Sequence, residues 1–275
     1  VEERPALTSL PAPTPAPSPS PTAGAPATSP PTPEPIVPTR PADSLTGEAP
    51  AATAEVAALP PVAPQGRERF GVGAGPDIAS YPVERLGIGW YLTWWTMVDP
   101  PRPGGIEFWQ MVQVSEQGYQ PDAAVIQAAA RANPGSVWLI GNEPDVRWQN
   151  NTTPERYAEI YHELYALLKA ADPTSRIAIG GVTQPTPLRL AYLDRVLAAY
   201  EQRFGARMPV DIWNVHNFIL REERDSWGVD IPPGMDVPTG TLYTLDDHDN
   251  MDIFRDQIVS FRRWMAARGL SLIHI

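Results

Sequence analysis

After Arg67 the sequence alternates short apolar runs with longer stretches of helical periodicity, and that alternation leaves few folds open. "RFGVG" (69–73), "LGIGWYLTWW" (86–95), "IEFWQMVQV" (106–114), "VWLIG" (137–141), "RIAIGGV" (176–182) and "DIWNVHNFIL" (211–220) read as six strands. The alanine-rich "DAAVIQAAARANPG" reads as a helix. The next helix carries Tyr157, Ile160, Tyr161, Leu164, Leu167 and Leu168 at helical spacing, with Thr152 and Glu155 at capping-box spacing and Pro154 in its first turn. "LRLAYLDRVLAAYEQRFG" and "MDIFRDQIVSFRRWMAARG" are further helices. Strict alternation predicts an α/β fold with helices packed on a parallel sheet. A dinucleotide-binding open sheet wants a Gly-rich turn running straight into a helix, but "GVGAGP" puts Pro76 where that helix would run. The expectation is therefore a (β/α)8 TIM barrel over 67–269. It is incomplete: about six of the eight βα units are present, against the roughly 250 residues of a typical barrel.

Composition changes sharply near Gly66. Before it lie 18 of the 34 prolines and none of the nine tryptophans. A Pro/Ala/Ser/Thr tract such as "PAPTPAPSPSPTAGAPATSPPTPEP" buries too little apolar surface to offset its chain entropy. Residues 1–66 are expected to be a disordered linker, either a plain tail or a semi-rigid stalk holding a domain away from a cell surface or wall. The second alternative implies an extracellular or surface-tethered protein, with a signal or anchor ahead of Val1.

The remaining composition excludes several functions. The net charge of −11 and pI near 4.8 argue against nucleic acid or an anionic membrane surface as partner. No apolar run is long enough to span a membrane. With no cysteine, and four histidines lacking metal-ligand spacing, neither a metal nor another cofactor is implied. Nothing in the sequence sets an oligomeric state.

In a (β/α)8 barrel the chemistry sits at the C-terminal ends of the strands. The fourth strand ends in Asn142-Glu143-Pro144, and alternation places Val137, Leu139, Gly141 and Glu143 on one face. Glu143 is thereby aimed over the barrel mouth, although the tripeptide alone could be a polar turn. In strand six, His216 shares a face with Asn214, while Trp213 and Val215 face the helices. Trp94 and Trp95 end strand two, Trp148 follows Asn-Glu-Pro and Trp227 lies in the long loop after strand six. Each could pack in the core or offer a plane on which the C–H face of a sugar stacks. The loop from Arg221 to Asp249 is long enough to wall a site. Its "DDHDNMD" is explained by acidic capping of the following helix more readily than by a cation site.

Through strand order and "WLIGNEP", the chain from about Arg67 to Gly269 resembles clan A of the glycoside hydrolases, whose catalytic barrels end their fourth strand in Asn-Glu-Pro. The resemblance implies that Glu143 is the general acid/base and that Asn142 bonds a sugar 2-hydroxyl. It implies that His216, a structural histidine on the bland reading, steadies the nucleophile. It also makes Trp94, Trp95, Trp148 and Trp227 subsite platforms for a carbohydrate substrate.

Glycoside hydrolysis needs two carboxyl groups. One is protonated to release the leaving oxygen; the other is ionised to attack or stabilise the anomeric carbon, at about 5–5.5 Å in retaining enzymes. Clan A supplies that second group as a glutamate ending strand seven. Here "WMAARG" is followed only by "LSLIHI", without a glutamate. Asp211 stands at the wrong end of strand six, and Glu222 and Glu223 in "REER" read as a solvated charge run. No nucleophile is therefore assigned within this chain. Residues 270–275 are expected to be non-native, since back-translation is compatible with an adapter used in preparing DNA for sequencing. A barrel short of two strands would leave edges on strands one and six, and with them a tendency to aggregate and no measurable hydrolysis.

Three functions stay open on these residues. The first is a retaining glycoside hydrolase of poly- or oligosaccharides, inactive in this fragment. The second is a non-catalytic carbohydrate-binding barrel, tethered to the cell surface. The third is an unrelated barrel enzyme in which Glu143 does other acid/base work.

Overall fold

The computed structural model describes residues 66–270. The expected linker, apart from Gly66, and the expected foreign tail, apart from Leu270, lie outside the described residues. Within them the elements run β1 (Gly71–Gly73), β2 (Trp90–Leu92), β3 (Glu107–Ser115), β4 (Gly118–Gln120), α1 (Ala123–Ala132), β5 (Val137–Ile140), α2 (Pro154–Ala171), β6 (Arg176–Ile179), α3 (Pro187–Phe204) and α4 (Met251–Ala267). Five strands are parallel neighbours in the order β1-β2-β3-β5-β6, and β4 turns back antiparallel on β3. The expected sixth strand continues this order as two parallel bridges, Ala178 with Ile212 and Val182 with Val215. Among the described residues, β1 and the segment 211–218 are the two outer members of the sheet.

A parallel sheet is covered on both faces, which is why its strands read as apolar runs. On the inner face Val137 and Leu139 meet Met111 and Ala178, with Leu92, Trp109 and Ile212 beside them. On the outer face Val112, Val114, Trp138, Ile140, Ile177 and Ile179 pack against Ile126, Tyr157, Tyr161, Leu164, Leu168, Tyr192 and Leu193 of the helices. Trp213 and Val215 join that outer layer, as alternation in 211–218 predicts. Fully burying each such aliphatic side chain contributes about 1.5–3 kcal/mol.

The alternation of strand with helix holds from α1 onward but not before it. The β1–β2 and β2–β3 connections contain only short 3-10 turns. Pro76 and Pro82 in the first, and Pro100, Pro101, Pro103, Gly104 and Gly105 in the second, remove donors and preset turns. The outer face of β1–β3 is covered instead by Ile78, Val83, Ile88 and Ile106, packed on Tyr91 and Phe108. Helix α2 begins one residue later than its capping-box spacing predicts. Thr153 is the N-cap, while the Thr152 hydroxyl donates to the Asn150 carbonyl. Asn250, rather than an acidic residue, caps α4 by accepting from the N–H groups of Asp252 and Ile253.

At the far end of α2, Asp172 ties the helix to the start of β6. It accepts from the Gly135 N–H (2.8 Å), the Thr174 N–H and hydroxyl, and the Ser175 hydroxyl. Burial alone would raise its pKa, but these donors hold it down at about 2.

Candidate active site

The backbone turns sharply where β5 ends. Gly141 has φ +89°, and a Cβ there would lie 2.8 Å from Val114 Cγ2 and 2.9 Å from Asn150 Oδ1, so only glycine fits. Glu143 follows with φ +48°, a left-handed conformation that costs a non-glycine residue about 1–3 kcal/mol. Its surroundings hold it there. The Glu143 N–H donates to the Gly181 carbonyl beyond β6 (3.1 Å), and its own carbonyl accepts from Val146 N–H (3.1 Å).

The Glu143 side chain so placed is 10% exposed. Its Oε1 lies 2.7 Å from Nδ1 of His216. The His216 backbone N–H donates to the Val182 carbonyl (2.9 Å), so the segment after β6 carries both members of the pair. Gly180 and Gly181 make this close approach possible. A Cβ on Gly180 would sit 2.6 Å from the Ile140 carbonyl oxygen, and one on Gly181 would sit 2.9 Å from His216 Cδ2. The resemblance implied that His216 steadies a nucleophile; in the structure its carboxylate partner is Glu143.

Asn142 is fixed by a chain of amides. Its N–H donates to Asn150 Oδ1 (2.6 Å) and its Nδ2 donates to Gln149 Oε1 (3.4 Å). Asn150 Nδ2 donates to Gln113 Oε1 (2.7 Å), and Gln113 Nε2 donates to the Trp94 carbonyl (2.7 Å). Trp94 itself has φ +61°, and its ring lies against Gly73, where a Cβ would be 2.5 Å from Cη2. The sequence reading missed Gln113 and Asn150, whose roles depend on partners remote in the chain.

Asn142, His216 and Trp94 line one open cavity of about 420 Å³, together with Trp90, Trp109, Asn214, Asn217, Phe218 and Phe254. Trp90 and Trp109 stack at 3.8 Å. No carboxylate is among the residues lining this cavity. Trp95, Trp148 and Trp227 are not among them either. All four of the singled-out tryptophans are nonetheless 42–61% exposed, which sets aside core packing as the reason for them. Trp148 lies under the Arg147 guanidinium at 4.1 Å, and Arg147 is held by Asp225 (2.9 Å) and Asp230 (2.6 Å). Trp227 packs against the His248 ring. Among the described residues, no group of His, Asp and Glu is arranged to hold a metal ion.

One carboxylate departs from expectation. Glu222 is fully buried rather than part of a solvated run, and its Oε1 accepts from Arg189 Nε (2.9 Å) and the Thr186 hydroxyl (2.6 Å). Its neighbour Glu223 is half-buried and pairs with Arg221.

A family model described as the glycosyl hydrolase catalytic core matches residues 75–226. Among solved structures, the chain is similar to a GH128 subgroup III curdlan-specific exo-β-1,3-glucanase from Blastomyces gilchristii, in complex with glucose. Identity is 20% and the TM-score 0.51, over 75% of this chain and 74% of that one. It is also similar to a GH128 subgroup II endo-β-1,3-glucanase from Pseudomonas viridiflava, at 21% identity and TM-score 0.43, over 54% of this chain and 60% of that one. A third likeness is to a family 51 α-L-arabinofuranosidase from Bifidobacterium longum, at 15% identity and TM-score 0.40, over 72% of this chain and 47% of that one. The chain thus spans 60% of the length of the Pseudomonas enzyme. The Blastomyces likeness bears on the fold alone, an α/β sheet of the TIM-barrel glycosidase kind. No curated protein sequence matches the chain.

Proposed function

Because the chain belongs to the glycosyl hydrolase catalytic core family, we propose that Glu143 is the general acid/base of a retaining glycoside hydrolase acting on a poly- or oligosaccharide. The observation that carries this reading is the hydrogen bond of Glu143 to His216 at the end of β5, beside an aromatic cavity. A general acid needs a fixed position and limited contact with water, and Glu143 has both. Asn142, held by Asn150 and Gln149, is the hydrogen-bonding group for a sugar hydroxyl, and Trp94 is the stacking platform at the cavity. Trp95, Trp148 and Trp227 are outlying platforms for a longer chain.

The retaining mechanism asks for a second carboxylate about 5–5.5 Å from the first. The cavity lining offers none among the described residues, and Asp145 and Glu222 are bound to Arg189. That lining does not include Glu143 either, so no nucleophile is assigned among the described residues, and the reading for this chain is sugar binding without cleavage. That same observation favours the second reading, a carbohydrate-binding barrel without catalysis. The Pro-rich tract before Gly66 supports an extracellular or tethered setting.

Laminari-oligosaccharides, the ligands of a GH128 relative, are the first probe. Binding seen by tryptophan fluorescence, with no new reducing ends, is the expected result for this chain. Hydrolysis with inversion at the anomeric centre, followed by NMR, would refute the retaining mechanism. No binding of any glucan, xylan or arabinan would remove the carbohydrate assignment of this cavity.

A further inference from the structure

A buried ionic knot lies behind the pair and takes no part in the chemistry above. Arg189, in the first turn of α3, has no exposed surface. Its Nε donates to Glu222 Oε1 (2.9 Å). Its Nη1 donates to the side chain of Asp145 and to the Asp145 carbonyl (2.9 Å). Its Nη2 donates to the carbonyls of Val229 (3.2 Å) and Asp230 (2.8 Å). Asp145 in turn accepts from the Thr183 N–H and hydroxyl, each at 3.2 Å.

Stability alone is a weak account of such a knot, because desolvating each ion costs several kcal/mol and well-packed apolar residues often do as well. Its attachment points are informative. Asp145 lies two residues after Glu143, and Thr183 ends a segment with three successive acceptors. The Gly181 carbonyl takes the N–H of Glu143 (3.1 Å), Val182 that of His216 (2.9 Å), and Thr183 that of Phe218 (3.2 Å). The backbones of the pair hang from Gly181 and Val182, the two residues that lead directly into the Thr183 that Asp145 grips.

We propose that Arg189 is a positioning residue: through Asp145 and Thr183 it holds residues 181–183 in register and so sets the Glu143–His216 hydrogen bond. A guanidinium fork suits this task. A lysine, with one nitrogen, cannot reach Glu222, Asp145 and two carbonyls at once. The proposal rests on reading Glu143 and His216 as a working pair, but not on hydrolysis, so it is testable in this chain.

The readout is the His216 ring, followed by long-range ¹H–¹⁵N NMR and assigned with His216→Gln. In the wild-type chain Nδ1–H is expected to be present and slow to exchange, and Glu143→Gln to abolish that protection. Thr183→Val keeps the backbone N–H and removes only the hydroxyl link. It is expected to speed Nδ1–H exchange by about tenfold, the scale of one charge-assisted hydrogen bond. Thr183→Ser is expected to restore the wild-type rate, and Arg189→Lys to exceed the effect of Thr183→Val. If Arg189→Lys does not fold, the Thr183 pair decides. A wild-type ring without a protected Nδ1–H overturns the pairing and the proposal with it. A protected ring that Thr183→Val leaves unchanged overturns the proposal alone.

Discussion

Glu143 and His216 stand 73 positions apart in the chain and 2.7 Å apart in the fold. Two consecutive carbonyls, Gly181 and Val182, receive their backbone N–H groups, and the absence of side chains at Gly180 and Gly181 lets the two strand ends approach.

Gly181→Ala tests that approach directly. The added methyl would meet His216 Cδ2 and Asn214 Nδ2 at 2.9 Å. Both are side-chain ends, so the ring gives way rather than the backbone. The expected loss of stability in urea is modest, about 1–2 kcal/mol, while the His216–Glu143 hydrogen bond is lost from the ring's NMR signals. A wild-type ring spectrum would mean that the strands spread instead.

Trp94 and Trp148 should separate in binding. Trp94 lines the cavity with Asn142 and His216, while Trp148 is turned to the Arg147 guanidinium outside it. Trp94→Ala is expected to weaken binding of a short laminari-oligosaccharide by about tenfold, the scale of one aromatic contact with its buried area. Trp148→Ala should change it by no more than about twofold. Fluorescence titration with a trisaccharide distinguishes the two, and equal effects would count against the cavity as the binding site.

Tyr157 carries a structural load under the site. Its fully buried hydroxyl donates to the Ile140 carbonyl and accepts from the Gly180 N–H, both at 2.7 Å. Burial pushes the phenol pKa well up, so it stays protonated at working pH. Tyr157→Phe leaves two buried backbone groups unpartnered and should cost about 1–3 kcal/mol in a urea melt. A loss below about 0.5 kcal/mol would mean that other partners reach them.

Asp172 predicts an acid limit. Its folded pKa of about 2 lies below its ordinary value of 3.8, so the folded state binds its proton less readily than the unfolded state does. The associated stability, on the order of 2 kcal/mol, is fully present above pH 5 and lost as pH falls from about 4 towards 2. Asp172→Ala should be less stable at neutral pH by a similar amount and show a flatter stability profile over that window. Urea melts between pH 2 and 6 would show both; parallel profiles for the two proteins would exclude the linkage.

The parts of this architecture that rest on local pattern were legible in the sequence. The apolar run before Asn142-Glu143-Pro144 marked β5, and alternation placed Val137 and Leu139 inward with Trp213 and Val215 outward. Features set by distant partners were not. Glu222 reads as surface charge until Arg189, 33 residues earlier, is seen to meet it in the interior. The amide chain from Asn142 to Trp94 runs through Gln113 and Asn150, neither of which carries a local signal. The prolines and glycines between β1 and β3 are the local signal for turns in place of helices there.

The cover of the sheet is therefore uneven, thin over β1–β3 where short turns replace helices and thick over β5 and β6. Resistance to deformation follows the same gradient, because fewer buried contacts hold the thin half. Trp90 and Trp94 ride on that yielding half, whereas Glu143 and His216 are anchored to the stiff one. Under the proposed function, a bulky glycan would push the aromatic wall aside and leave the Glu143–His216 pair in place. Faster amide exchange over 71–92 than over 137–140 would be the mark of a site with one soft jaw and one hard one.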